Sequence, residues 1–142
     1  MSNLERAIAI AVEAHAGQKD RNGASYILHP LRVMARVQSD DEKIVAILHD
    51  VVEDTDWTFD DLRQEGFSAE LIAALDCVTK REGEAYEDFV KRSASNALAK
   101  RVKIADLEDN MDIRRHEVLE PKDLERFNKY LRAWRGLNSL KT

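Results

Sequence analysis

What most restricts the folds open to this 142-residue chain is its punctuation: five glycines and two prolines, with apolar residues recurring at helical spacing between them. Each β-hairpin needs turn-forming residues at its reversal, and Asn22-Gly23 is the one favoured pair in the sequence. Helices therefore dominate. From Leu4 to Gly17 apolar positions fall at 4, 7, 8, 11, 12 and 15 or 16, near a 3.6-residue period, with Ser2 or Asn3 as cap and Gly17 as stop. A polar loop occupies 18–29, and Pro30 suits the first position of a second helix ending near Gln38.

The third helix, "SDDEKIVAILHDVVEDT", opens at Ser39 or Asp40 with an acidic first turn and closes before Trp57. It is apolar nearly all round, which predicts a central position. Two further helices are capped by Thr58 and Ser68, the second with Leu71, Ile72, Leu75 and Val78 on one face. A short helix spans about 85–94, a long one runs through "NALAKRVKIADLEDNMDIRRH", and the last begins at Pro121. No repeat, low-complexity tract or linker marks a boundary, so residues 1–142 read as a single-domain, all-α bundle.

Hydrophobic residues make up 44% and charged residues 35%, the balance of a folded globular chain. The longest apolar runs, "AIAIAV" and "IVAIL", fall far short of the roughly 20 residues that span a bilayer, and no signal-peptide pattern precedes them. The expectation is a cytoplasmic protein with no membrane partner. A lone cysteine, Cys77, excludes an internal disulfide, and its apolar context "LIAALDCV" predicts a buried structural thiol. A net charge of −5 argues against nucleic acid as a partner. A small anionic ligand stays compatible, because local basic residues and a bound metal reverse the field inside a pocket.

The chemistry concentrates in "ILHDVVEDT", residues 47–55, where charge interrupts an apolar run. On one helix His49 and Glu53 are neighbours, as are Asp50 and Asp54, giving a polar edge. Burying that edge unpartnered would cost several kcal/mol per charge, which a cation and a substrate would offset. "VKIADLEDNMD" repeats the theme with Asp106 and Asn110 four apart, and His29, just before Pro30, can aim its imidazole at a neighbouring helix. His29, His49, Asp50 and Asp106 together form a mixed nitrogen and oxygen set suited to manganese, iron, magnesium or zinc. Each residue also has a plainer reading. A His-Asp dipeptide is commonly a satisfied pair, Asp106 can bridge Lys103 or Arg101, and Asn110 can be simply exposed. His15 reads as a core hydrogen-bonding residue and His116 as the solvated end of its helix.

The ordered blocks "AHAGQ" (14–18), "SYILHP" (25–30), "ILHDVVEDT" (47–55), "VTK" (78–80) and "VKIADLEDNMD" (102–112) resemble the HD-domain hydrolase part of the RelA/SpoT family. The likeness covers roughly residues 4–138 and is strongest to the small stand-alone members that hydrolyse guanosine 3′-diphosphate 5′-diphosphate. It leaves no room for a synthetase or C-terminal regulatory domain. The resemblance implies an all-helical HD-domain bundle, one divalent cation, typically Mn2+, and hydrolysis of a 3′-pyrophosphate from a guanine nucleotide. It assigns His29, His49, Asp50 and Asp106 to the metal and Glu53 and Asp54 to the catalytic acidic pair, whose crowding should raise their pKa values. Gln18, Lys19, Asp20, Asn110 and Tyr130 match residues that bind the nucleotide substrate. Lys19, Arg21 and Arg32 are candidates to meet its distal phosphates.

Two departures stand out: Ala24-Ser25 where relatives carry a proline before the tyrosine, and Leu107 where an arginine is common. They bear on the nucleotide and leave the metal set intact. The alternatives are a phosphomonoesterase or phosphodiesterase for another nucleotide, and a non-catalytic nucleotide-binding helical domain. Phe127, Leu131, Trp134 and Leu137 share a face of the last helix, which predicts intramolecular packing and assigns no oligomeric state.

Overall fold

A computed structural model describes residues 3–139, and among them every regular element is helical. The order is α1 (Leu4–Ala14), α2 (Leu28–Ala35), α3 (Asp40–Leu48), α4 (Val51–Asp54), α5 (Phe59–Gln64), α6 (Ala69–Cys77), α7 (Tyr86–Ser93), α8 (Ala97–Asn110), a 3-10 turn (Ile113–Arg115) and α9 (Pro121–Ser139). Among the described residues no helix is long and apolar enough to cross a membrane.

Most starts are fixed locally. The Asn3 side chain accepts the Arg6 amide, Ser68 that of Leu71 and Asn96 that of Ala99. Ser39 with Glu42, and Thr58 with Asp61, form reciprocal capping boxes. Asn3 rather than Ser2 caps α1; Ser2 lies outside the described residues. α2 begins at Leu28, two residues earlier than Pro30 suggests. First-turn amides need no intrahelical partner, so the proline fits two positions further in, and His29 becomes part of the helix.

α3 is central, as its all-round apolarity predicts, with α1, α2, α6 and α8 packed on its sides. Its Ile44, Val45, Ala46, Ile47 and Leu48 are all buried, and Ala7, Ile10 and Ala11 of α1 meet them at i, i+3, i+4 spacing. Leu71, Ile72, Leu75 and Val78 join the same core. Cys77 does not: it is only half-buried at the core's edge, its Sγ 3.9 Å from Ser95 Oγ. α9 lies across α8 and α7, and of Phe127, Leu131, Trp134 and Leu137 only Leu137 is buried, while Leu131 stays exposed. Trp134 instead donates its ring N–H to Glu108 of α8 at 3.0 Å.

The predicted third helix is in fact two. It stops at Leu48 and restarts at Val51, with Asp50 at φ −105°, ψ 0° between them. In an unbroken helix the Ala46 carbonyl would take the amide of Asp50. Here it accepts His49 Nδ1 at 2.6 Å. The interruption turns Asp50 into the bundle while Glu53 and Asp54 stay exposed, so the single polar edge expected from a continuous helix is split between interior and rim.

Candidate active site

The break delivers His49 and Asp50 to the bundle interior, α2 brings His29 and α8 brings Asp106. His29 Nε2 lies 2.9 Å from Asp106 Oδ1 and 3.8 Å from Asp50 Oδ2. His49 Nε2 lies 3.3 Å from Asp106 Oδ1 and 3.1 Å from Asp50 Oδ2. His29, His49 and Asp50 each offer a donor atom within 4.8 Å of the others, and Asp106 reaches both imidazoles. These four residues, separated by up to 77 positions in sequence, therefore meet as one cluster.

The donor chemistry suits a divalent cation. Two imidazole nitrogens and two carboxylate oxygens converge, and each imidazole is anchored through its other nitrogen, His29 Nδ1 to Asp109 Oδ2 at 2.7 Å and His49 Nδ1 to the Ala46 carbonyl at 2.6 Å. Such anchoring is the usual support of a metal-ligating histidine. Burial opposes ionisation of Asp106, but the Lys103 ammonium 3.0 Å away and the two histidines outweigh it and hold its pKa far below the ordinary range. Asp50 is held down in the same way, mainly by His49 against the opposing effect of burial. Both histidines are raised: the neighbouring carboxylates overcome desolvation. The Tyr26 hydroxyl donates to Asp50 Oδ2, and burial and the Asp50 charge push its own pKa up.

Two cavities meet at this cluster, and Arg21, Tyr26, His29, Asn110 and Tyr130 line both. The upper one is walled by Lys19, Arg32, Arg115 and Arg126; the lower one contains Glu53, Asp54, Lys80, Tyr86 and Lys129 beside the metal-type donors. Asp54 is exposed as a residue, but its carboxyl loses hydration against the walls of the lower cavity, and that desolvation first, then the Asp50 and Glu53 charges, raise it to about 6. Glu53 is tied at the rim, its Oε1 accepting the Lys80 amide at 2.9 Å.

The nucleotide-binding expectations divide. Lys19, Asp20, Asn110 and Tyr130 all face the upper cavity. Gln18 does not. Its Oε1 meets His15 Nδ1 at 2.8 Å and its Nε2 donates to the Asp54 carbonyl at 3.2 Å, so it braces the site from behind. Asp20 also works on the loop, where Oδ1 accepts the Asn22 and Ala24 amides around the Asn22-Gly23 tip, with Gly23 at φ +85°. A single antiparallel bridge from Lys19 to Ser25 closes that hairpin.

Asn110 is not merely exposed, because its Nδ2 donates to Asp106 Oδ1 at 3.1 Å. Arg32 is neither free nor fully solvated: its Nε donates to Asp109 Oδ1 at 2.8 Å. His116 is half-buried with its ring edge-on to Phe127, rather than at a solvated helix end. His15 is buried as expected. Tyr26, Asp109, Arg115 and Arg126 are the residues that pattern reading passes over. Tyr26 and Asp109 sit inside blocks that stand out for His29 and Asp106, while Arg115 and Arg126 lie outside those blocks.

A helical bundle in which a His-Asp pair at a helix break meets a second histidine and a distant aspartate has the architecture of an HD domain. No protein-family model matches the sequence. It is 35% identical to a GTP pyrophosphokinase of Streptomyces coelicolor over 99% of this chain and 19% of that protein. It is 35% identical to a guanosine-3′,5′-bis(diphosphate) 3′-pyrophosphohydrolase of Aquifex aeolicus over 77% of this chain and 17% of that one. The bifunctional (p)ppGpp synthase/hydrolase SpoT of Escherichia coli matches at 33% identity over 68% of this chain and 14% of its own length. The chain thus spans less than a fifth of these relatives. A solved metazoan SpoT ortholog, described as hydrolysing ppGpp, shares the fold with a TM-score of 0.75 at 22% identity, over 96% of this chain and 85% of that one. The chain thus has the fold of that ortholog and is similar, over most of its own length, to one segment of RelA/SpoT-type proteins.

Proposed function

We propose that this chain removes the 3′-diphosphate from guanosine 3′,5′-bis(diphosphate), using one divalent cation, Mn2+ in the cell, and that it works in the cytoplasm. The observation that carries the reading is the meeting of His29, His49, Asp50 and Asp106 at the junction of two cavities, one of them walled by cationic side chains. The names of the relatives point the same way. When bound by those four residues, a divalent cation supplies Lewis-acid activation of water and neutralises charge that develops on the phosphoryl oxygens.

The chain's own residues supply the rest. A water oxygen bonds to the phosphorus attached at the 3′ position, the bond from that phosphorus to the 3′ oxygen breaks, and pyrophosphate leaves. Asp54, poised at about 6, is placed to take a proton from the water and return one to the departing 3′ oxygen. Glu53, fixed by the Lys80 amide, holds the water's orientation from the rim. Asn110, bonded to Asp106 and facing both cavities, positions the nucleotide against the cluster, with Tyr130 beside it. Lys19, Arg21 and Arg126 meet the phosphates, and without them the carboxylates would repel so anionic a substrate.

The test is to incubate purified protein with Mn2+ and a panel of phosphorylated nucleotides. Release of pyrophosphate from the bis(diphosphate) is the expected result. Orthophosphate release from other nucleotides would identify a phosphomonoesterase instead. Asp106→Ala should abolish both Mn2+ binding and turnover while far-UV circular dichroism stays helical. Full activity in that variant would overturn the ligand assignment.

A further inference from the structure

Asp109 is a residue the mechanism above does not use. It has no exposed surface, yet it is an acid on a helix packed into the bundle. Its Oδ2 faces His29 Nδ1 at 2.7 Å. Its Oδ1 accepts Arg32 Nε at 2.8 Å and lies 3.5 Å from Arg115 Nη1, while its backbone carbonyl accepts Arg115 Nη2 at 2.7 Å. An ionised carboxylate only accepts hydrogen bonds, so the His29 nitrogen on this side carries the hydrogen. The opposite nitrogen, Nε2, lies 2.9 Å from Asp106 Oδ1 and 3.8 Å from Asp50 Oδ2; without a cation it too can carry a hydrogen for those carboxylates, and a cation held between them takes that hydrogen's place while the one on Nδ1 stays with Asp109. Imidazoles bind metals through an unprotonated nitrogen, and the bond made by the other nitrogen decides which one that is.

We propose that Asp109 is a positioning residue that sets the tautomer and ring orientation of His29, with Arg32 and Arg115 in turn fixing Asp109. The inference rests on the reading of His29 as a metal ligand. A purely structural tie between α2 and α8 would use the same contacts, and the isosteric Asp109→Asn separates the two roles. Asparagine has one accepting oxygen and one donating amide. Arg32 and Arg115 can only donate, so the oxygen turns to them and the amide hydrogens face His29 Nδ1. That nitrogen must then accept, which sends the ring proton to Nε2 and blocks ligation. The tie between helices survives; the ligand does not.

Calorimetric titration with Mn2+ and thermal melting of wild type and Asp109→Asn provide the test, together with 15N NMR of the His29 ring in protein saturated with Zn2+, a diamagnetic divalent cation. The expected result is a dissociation constant for Mn2+ raised by about 10- to 100-fold in the folded variant. The His29 proton should move from Nδ1 in wild type to Nε2 in the variant. An unchanged Mn2+ affinity in folded Asp109→Asn overturns the inference and leaves the proposed function standing. Wild-type protein that binds no Mn2+ overturns both. Should the variant fail to fold, the wild-type spectrum decides: a proton on Nδ1 supports the assignment and a proton on Nε2 sinks it.

Discussion

Asp54 shows how a side chain acquires a working pKa from its surroundings. Desolvation of its carboxyl and the nearby Asp50 and Glu53 charges hold it up at about 6, so it is a carboxylate above that pH and a carboxylic acid below it. If it accepts the water's proton, kcat/KM falls as pH drops through about 6, or somewhat lower once a cation pulls the pKa down. Replacement by asparagine should lower kcat by a factor on the order of 100, remove that acidic limb and leave Mn2+ affinity unchanged in calorimetry. A wild-type-like pH profile in the variant would assign the proton transfer elsewhere. The same scale shows what the sequence makes legible. His29, His49, Asp50 and Asp106 stand out because charge inside apolar runs needs a partner. Asp109 escapes notice because its partner His29 is 80 positions away and only folding brings them together. Gln18 lies in a telling block, and folding commits its amide to His15 and the Asp54 carbonyl, which its sequence position does not reveal.

At the scale of elements, helix starts read well from sequence because a cap acts within three residues. Ser39, Thr58 and Ser68 each do what their spacing predicts. The interruption between α3 and α4 did not read, since periodicity cannot reveal a side chain that takes a carbonyl from its own helix. That interruption gives the site its shape by separating inward Asp50 from the rim acids. The capping box at the other end of α3 is independent of it. Ser39 Oγ accepts the Glu42 amide at 3.1 Å, Glu42 Oε1 accepts the Ser39 amide at 2.9 Å, and Glu42 Oε2 meets Arg101 Nη1 at 3.1 Å. Ser39→Ala should cost about 1 kcal/mol in urea denaturation. It should not change Mn2+ affinity, because His49 is anchored at the far end of the helix through Ala46. A large loss of affinity would show that the start of α3 governs the site.

For the molecule as a whole, the donor cluster is also a tie between elements, since α2, the α3–α4 junction and α8 each contribute to it. A cation bound to the folded form and not to the unfolded chain stabilises it by mass action, about 2.7 kcal/mol at a free concentration 100 times the dissociation constant. Melting followed by circular dichroism should shift upward by several degrees with Mn2+ and return with EDTA. No shift at saturating Mn2+ would mean that the four residues do not close around it.

The order in which those elements occur along the chain has a consequence for biogenesis. A polypeptide emerging from the ribosome displays His29, His49 and Asp50 well before Lys103, Asp106 and Asp109 have been made. If those residues hold a cation as proposed, its capture waits on translation of α8, and a nascent fragment that ends before it would remain without cargo.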